Sequence, residues 1–467
     1  MATSLTRHDY TIEGLSELAT DLTKENIKRN DDQRISVCIA IAGGGGHAIS
    51  SLAATSGASQ LFLDGDVTYS RKAYLKYVGM PCNTTGFYYS SFEAAKKASE
   101  AALQKALVFR TDNIRRMPGC IGIGSTSSLL KGPDSKAYVV ATRADGTQLT
   151  LDIILGDDGE NRTRLEKDIV VSHFILRAID LVGKNDIKKD DVASLEENGI
   201  SISAQLTAKD QSYNNGVAAA KRILEGKEQA VVLLPVYDEG GRPTSFRSLE
   251  RPILPNGSLI FPGSYNPPHK GHISLAKASL NNENERKRSS RNDKKTVFFE
   301  LSLVNPDKPS IDAKTVEERI SKFLSLDDLP THWGIILSRA PLFFQKVSIF
   351  ARAIDSFDGS PPNLAFVIGT DTLVRIVDKK YYNNSESEMV ESLCSMEGVN
   401  FLVGGRLEQK KDANSACFVS GSDEVKDLPE KLKQMFTIIK EEDFRVDISS
   451  SQIREQLKAK SSTFPSS

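Results

Sequence analysis

The sequence predicts an α/β protein of two domains: an N-terminal α/β layer domain and a C-terminal doubly wound parallel sheet. Three observations carry this. The chain has 467 residues, and a compact domain of about 100–200 residues makes two or three domains the expectation. In both halves, short apolar runs alternate with segments whose apolar residues recur at helical intervals. Between the halves, Asp238–Gly257 collects Gly, Pro, Ser and Arg, a linker composition. The expected division is 1–190, a connecting segment and linker over 191–257, and 258–467.

The first half opens with a helical pattern over Ile12–Lys28. The apolar run Ile35–Ala42 reads as a buried strand and ends in Gly43-Gly44-Gly45-Gly46, after which the small residues His47–Thr55 form a helix. Strands are expected at Gln60–Asp64 and Asp66–Tyr69. The Ala- and Lys-rich Ser91–Arg110 has helical spacing. Cys120–Ile123, Ala137–Thr142 and Leu149–Leu155 read as strands of a mixed sheet, and Leu165–Val182 as a helix. Lys184–Gly216 is polar and poorly periodic. A helix, Val217–Glu225, and a strand, Ala230–Val236, precede the linker.

The second half restarts with a strand at Ser258–Phe261, a turn over Pro262–His272 and a helix to about Leu280. Asn281–Lys295 is a charged loop; its basic run is read as solvated, with a nuclear signal as the alternative. Thr296–Val304, Trp333–Leu337, Leu364–Ile368 and Asn400–Val403 read as further strands with helices between them, the pattern of a doubly wound sheet with its site at the strand C-termini.

Composition narrows the function. Lys plus Arg is 60 against 61 Asp plus Glu, a net charge of -1. That argues against a nucleic-acid or membrane-surface binder, both of which normally carry a basic excess. Nothing approaches the roughly 18 apolar residues of a membrane span. The polar start, Met1 to Tyr10, lacks the apolar core of a secretory signal. The five cysteines, Cys38, Cys82, Cys120, Cys394 and Cys417, are scattered and never in a CxxC pair, so neither a disulfide scaffold nor a zinc site is expected. A cytoplasmic protein without a metal site is the expectation.

The most specific feature is GSYNPPHKGH, Gly263 to His272, between a strand and a helix. A helix start offers free N–H groups and a positive dipole end to an anion. Gly263 allows close backbone approach, Asn266-Pro267-Pro268 stiffens the turn, and His269 and His272 can donate to phosphate oxygens and stabilise charge at a reacting phosphorus. The bland alternative is a histidine pair that caps or packs. Near the C-terminus, ISSSQIR (Ile448–Arg454) places Ser449, Ser450 and Ser451 as N-caps before a final helix, Gln452–Lys458, with Arg454 able to fork onto a phosphate.

Gly263–His272 resembles the HxGH signature of the nucleotidylyltransferase superfamily, a cytidylyltransferase-like, Rossmann-like fold. Its longer form is similar to the nicotinamide/nicotinate mononucleotide adenylyltransferases. Phe366–Leu373 (FVIGTDTL), Phe401–Arg406 (FLVGGR) and ISSSQIR resemble later motifs of that family in the expected order. The resemblance implies His269, His272 and Arg454 as catalytic residues. It implies nucleotide contacts from Gly263, Ser264, Asn266, Lys308, Gly369, Asp371, Arg406, Ser449, Ser450 and Ser451, and it likens Arg319 to a later helix arginine. It implies transfer of NMP from an NTP, ATP favoured and carrying Mg²⁺, to a phosphorylated small-molecule acceptor with loss of pyrophosphate. The favoured acceptor is a pyridine mononucleotide; a cytidylyltransferase, another adenylyltransferase or a nucleotide-binding regulator without turnover are the alternatives. The family's pyridine-stacking Trp has no match, so Tyr381, Tyr382 and the chain's single tryptophan, Trp333, are the candidates for the acceptor site.

In the first half, Gly57–Tyr74 (GASQLFLDGDVTYSRKAY) resembles the CinA-type C-terminal domain, the nicotinamide mononucleotide amidase family. Ile41–Gly46 aligns with that family's ESCTGG, and Gly119–Gly132 loosely with its glycine-rich loop. The departures matter more. Ala42 stands where the family has its serine, Gly43 and Gly44 replace the following Cys and Thr, and Tyr74 takes the place of its lysine, although Tyr69 is kept. Alanine is no nucleophile, so amidase activity is not expected unless Lys72 or Lys76 compensates by a slipped register. The glycine turn and Ser125–Ser128 read as tight-turn packing, with a phosphate loop as the alternative. The resemblance implies a binding, regulatory or dimerising domain in a homo-oligomer.

Overall fold

The computed structural model describes residues 10–130, 134–155, 162–184, 186–195, 200–207, 216–249, 251–286, 295–304, 310–354, 362–396, 398–409 and 416–445. The chain divides into two compact units, Met1–Asp210 and Gln211–Ser467. It is an α/β protein built on two mixed sheets of six and eight strands.

The first unit's sheet comprises β1 (Ser36–Ala42), β2 (Phe62–Val67), β3 (Cys120–Ser128), β4 (Lys136–Arg143), β5 (Gln148–Ile154) and β6 (Ser201–Thr207), in the order β2-β1-β3-β4-β5-β6. β1 runs parallel to β2 and β3, and the remaining pairs are antiparallel. The helices are α1 (Ile12–Lys28), α2 (Gly46–Ala54), α3 (Arg71–Tyr77), α4 (Phe92–Phe109), α5 (Arg164–Val182) and α6 (Lys189–Ala193). Alternation in the strands assigns the two faces. Val37, Ile39, Ile41, Ile121 and Ile123 share one buried cluster with Leu15, Ala48, Leu52, Ile175 and Ile179, so α1, α2 and α5 cover that face. On the other face α4 presents Ala94, Ala95, Ala98, Ala102 and Ala106 at helical spacing. It lies so close to β3 that a Cβ at Gly124 would meet the Ala95 carbonyl oxygen at 2.0 Å, and one at Gly122 the Leu103 nitrogen at 2.2 Å. α5 starts at a reciprocal cap: Thr163 accepts from the Glu166 N–H, and Glu166 accepts from the Thr163 N–H.

The second unit has β7 (Ala230–Tyr237), β8 (Pro243–Ser248), β9 (Leu259–Pro262), β10 (Val297–Ser302), β11 (Trp333–Ser338), β12 (Leu364–Gly369), β13 (Val399–Gly404) and β16 (Phe436–Ile439) in one sheet, with a separate ribbon, β14 (Arg406–Gln409) and β15 (Ala416–Val419). The helices used below are α7 (Gly216–Leu224), α8 (Lys270–Arg286), α9 (Ala313–Ile320), α10 (Phe343–Ala353) and α11 (Thr370–Ile376). Six strands are parallel in the order β11-β10-β9-β12-β13-β16. Counted from β9, that is 3-2-1-4-5-6, the order of a doubly wound sheet. One face packs Phe261, Phe299 and Val367 with α7, α8 and α9 residues such as Ile223, Ala276 and Ile320. The other carries an aromatic ladder: Phe343 on Phe366 at 5.2 Å, Phe366 on Phe401 at 5.7 Å and Phe401 on Phe436 at 5.2 Å between ring centroids. Phe366 and Phe401, both fully buried, contribute about 1.5–3 kcal/mol each.

The segment set aside from sequence as a connector is not one. β6, within 191–257, completes the first sheet, and β7 and β8 extend the second antiparallel to β11. The linker-like composition of Asp238–Gly257 reflects a hairpin turn and an edge strand. Among the described residues no helix is long and apolar enough to cross a membrane.

Candidate functional site

The HxGH turn leaves β9 at Pro262 and enters α8 at Lys270. The Gly263 N–H donates to the Glu300 carbonyl at 2.9 Å, carrying the β9–β10 ladder into the turn. Tyr265 adopts a left-handed φ of 44° and folds its ring back into the core, where it is 2% exposed among Phe261, Phe299 and Phe323. Its hydroxyl donates to the Phe261 carbonyl. A Cβ at Gly263 would lie 2.6 Å from Cζ of this ring. The close approach that Gly263 permits is therefore made by the turn's own tyrosine.

The two histidines are locked together. The His269 N–H donates to Nδ1 of His272 at 3.1 Å, and the Gly271 N–H to Nδ1 of His269 at 3.2 Å. The ring centroids are 3.9 Å apart. Burial, and then the neighbouring His269, pushes His272 down to about 3; burial also lowers His269. Both rings are neutral at pH 7. Because each Nδ1 accepts, each ring's one proton sits on Nε2, leaving two N–H donors suited to an anion. The Arg319 guanidinium, from α9, donates to the Ser264 carbonyl at 2.9 Å and ties a cation to the same turn. Ser264 is exposed and Asn266 half-buried.

Register places the second predicted loop beside it. Ala365 and Phe366 of β12 pair with Leu259 and Ile260 of β9, and Gly369 pairs with Gly404 at the end of β13. β9 and β12 are the neighbours at which strand order reverses, so the loops that follow them flank a topological switch point, where ligands of such sheets bind. Gly369 caps α11, and Asp371 lies in that helix's first turn. The Asp371 carboxylate and Arg406 guanidinium are ion-paired to each other, both largely exposed. A pair of this kind holds little energy and opens readily.

The acceptor candidates fare differently. Trp333 is 1% exposed and packed between Phe246, Phe299 and Phe323; it starts β11, at the opposite strand ends from the histidine turn, and is a core residue. Tyr382 donates to the Ile376 carbonyl at 2.9 Å, closing the end of α11, and burial raises it to about 12. Tyr381 is half-buried beside Lys380, whose ammonium is 4.8 Å from the ring centroid. Lys308, Ser449, Ser450, Ser451 and Arg454 lie outside the described residues. A cavity of about 670 Å³ opens among Asn363, Cys394, Met396, Asn400 and Lys431. It sits at the N-terminal strand ends, away from the histidines.

In the first unit the glycine turn is already filled. Gly43 and Gly45 have φ of 116° and 110°, a conformation that costs a side-chain-bearing residue dearly. The turn presents its N–H groups to Asp168 of α5. Oδ1 accepts from Gly45 at 2.7 Å and Gly46 at 3.2 Å; Oδ2 accepts from the His47 N–H at 3.3 Å and lies 2.6 Å from His47 Nδ1. The Ser127 hydroxyl accepts from Gly44. Burial works to raise the Asp168 carboxyl, but the His47 ring and three N–H donors together hold it below its usual value. The glycine turn is thus packed tightly around an internal carboxylate, the reading preferred from sequence over a phosphate loop. Ala42 ends β1, offering no nucleophile. Tyr74 is 1% exposed, with its hydroxyl donating to the Ala94 carbonyl at 2.7 Å, while Lys72 and Lys76 are exposed on α3. Tyr69, 67% exposed, accepts from Arg164 at 3.2 Å. Sequence reasoning missed Asp168: it lies 123 residues from Gly45 inside an ordinary helical repeat, with no local signal.

No family model matches the chain, and no curated protein matches it. Solved structures do. The competence/damage inducible protein CihA from Agrobacterium tumefaciens is similar over 38% of this chain and 97% of its own, at 22% identity and a TM-score of 0.28. A competence-damaged protein (CinA) superfamily protein from Escherichia coli is similar over 38% and 95%, at 19% and 0.29. One from Enterobacter cloacae is similar over 39% and 99%, at 15% and 0.27. About 38% of the chain thus structurally resembles CinA-superfamily proteins. At these scores the likeness transfers no activity, and nothing in it identifies the second half.

Proposed function

We propose that the second unit is a nucleotidylyltransferase. The reading rests on one observation: two neutral imidazoles, each with its proton held on Nε2, share the turn that leaves the central strand at the sheet's switch point. The phosphates of an NTP, with Mg²⁺ as part of the substrate, would lie across this turn and the start of α8. A phosphate oxygen of the acceptor attacks the α-phosphorus. That P–O bond forms as the bond to the β-phosphate breaks, and pyrophosphate leaves. The protein contributes positioning and charge stabilisation, with His269 and His272 as neutral donors. Arg319 holds the turn, and the Asp371–Arg406 pair opens to the nucleoside. ATP and a pyridine mononucleotide are the favoured pair, supported by the GSYNPPHKGH form; Tyr381 is then the ring left to stack on the pyridine.

The test is NTP-dependent pyrophosphate release against a panel of phosphorylated acceptors, beginning with labelled nicotinamide and nicotinate mononucleotide and ATP. Release that His272→Ala abolishes supports the reading. No release with any acceptor removes the enzyme and leaves a nucleotide-binding regulator. Release with a different acceptor keeps the chemistry and corrects the substrate.

A further inference from the structure

Among the described residues, two arginines of the first unit are buried without an ion pair. Arg110, which closes α4, is 9% exposed, and Arg116, in the turn before β3, is 6% exposed. Both guanidinium groups converge on the hydroxyl of Ser36, the first residue of β1 and fully buried. Arg110 Nε donates to Ser36 Oγ at 2.8 Å, and Arg116 Nη2 lies 3.5 Å from the same oxygen. Arg116 Nη2 also donates to the Gln60 carbonyl at 2.6 Å. On each guanidinium the same Nε–Nη2 edge carries a second nitrogen that has no hydrogen-bond partner among the described residues and no contact with solvent: Nη2 of Arg110 and Nε of Arg116.

The surrounding acids are committed elsewhere. Asp31 lies 3.6 Å from Arg34 and accepts from Asn113 at 2.8 Å, with its side chain 53% exposed. Asp64 and Asp66 both pair with Lys105. Asp112 is exposed. Two thiols are close, but burial pushes Cys38 up to about 12 and Cys120 higher still, so neither carries charge. Burial, and then the adjacent Arg110, holds Arg116 below the usual guanidinium range despite the attraction of Asp31. Two like charges side by side in the interior are strongly unfavourable unless an opposite charge is supplied.

We infer that Arg110, Arg116 and Ser36 form a binding site for a small tetrahedral oxyanion, inorganic phosphate or sulfate, at the end of β1 opposite the glycine turn. Each guanidinium offers an Nε–Nη2 edge, the fork that binds such an anion, and Ser36, which accepts from Arg110, keeps its own proton to donate. The full burial of the orphan nitrogens selects the free ion over the phosphoryl group of a large metabolite.

The experiment uses the full chain carrying His269→Ala and His272→Ala, so that the turn proposed to hold triphosphate does not contribute. Equilibrium dialysis with labelled inorganic phosphate should give one bound ion per chain. Arg116→Met and Arg110→Lys, confirmed folded by circular dichroism, should weaken that binding at least tenfold. The midpoint of thermal unfolding should rise with phosphate against gluconate at equal ionic strength. Should neither arginine variant fold, this midpoint series decides alone. A midpoint indifferent to phosphate overturns the inference, as does undiminished binding in a folded Arg116→Met chain. Binding of adenosine monophosphate as tight as that of inorganic phosphate would overturn the assignment to the free ion.

Discussion

Replacing Asp168 with alanine should unlock the first unit at the start of α2. The carboxylate receives three backbone N–H groups and the His47 ring, with its side chain 17% exposed. Charge-assisted bonds of this type contribute about 1.5–3 kcal/mol each, but they share one group and do not add. Removing one partner of a largely buried charged contact usually costs about 3–5 kcal/mol, and partial exposure places Asp168→Ala near the lower end, at about 3 kcal/mol. For a unit of this size that is a fall of roughly 6–12 °C in midpoint. Asp168→Asn keeps an acceptor but loses the charge, and should cost about 1–2 kcal/mol. The assay is urea unfolding followed by far-UV circular dichroism, with Trp333 emission as an internal reference for the second unit. The pH dependence has a definite sign. The folded carboxyl titrates below its unfolded value of about 3.9. Its contribution is therefore complete above that value and is lost as pH falls through the lowered one, so wild type and variant converge in acid. A cost under about 1 kcal/mol at pH 7, or a difference that persists undiminished at the lowest pH, refutes the internal-anion argument.

Three other outcomes are expected. Gly124→Ala should cost about 3 kcal/mol or more, read as a lowered unfolding midpoint, because its Cβ would press on the backbone of α4 rather than on a movable side chain. His173, whose buried Nδ1 has no hydrogen-bond partner among the described residues, is pushed down to about 4, first by burial and then by Arg177. Between pH 6.5 and 4 the unfolded chain takes up a proton that the folded chain refuses, so stability should fall by up to about 1.4 kcal/mol per unit as pH drops, and His173→Gln should flatten that slope in urea titrations. In the second unit, His272→Ala should lower pyrophosphate release about 10²–10³-fold while leaving the Trp333 emission unchanged.

Local chemistry was legible in the sequence, and pairing across long separations was not. The strand–turn–helix course of Ser258–His272 followed from an apolar run, a Gly-Pro framed turn and a helical repeat, and it stands as read. So do the two α/β halves and the buried strands β1, β10 and β12. β6 escaped because its alternation, Ile202, Ala204 and Leu206 between polar neighbours, is short and set in a polar stretch. Trp333 shows the converse: an aromatic residue on a strand says that something apolar lies opposite, not whether it is a ligand or Phe323. The glycine run at Gly43–Gly46 was visible, but which anion it binds depended on Asp168, one helix repeat among many.

The hairpin β7–β8 bears on where the second half can be cut. Its motif begins at Gly263, which invites a fragment starting at Ser258. Such a fragment would lose β7, whose backbone pairs with Ile335 to Ser338, together with Val231, Leu233, Ala219, Ala220 and Ile223 of the core. β11 would become a bare, apolar edge, the feature that drives chains to pair with one another and precipitate. A fragment from Gln211 keeps that edge covered.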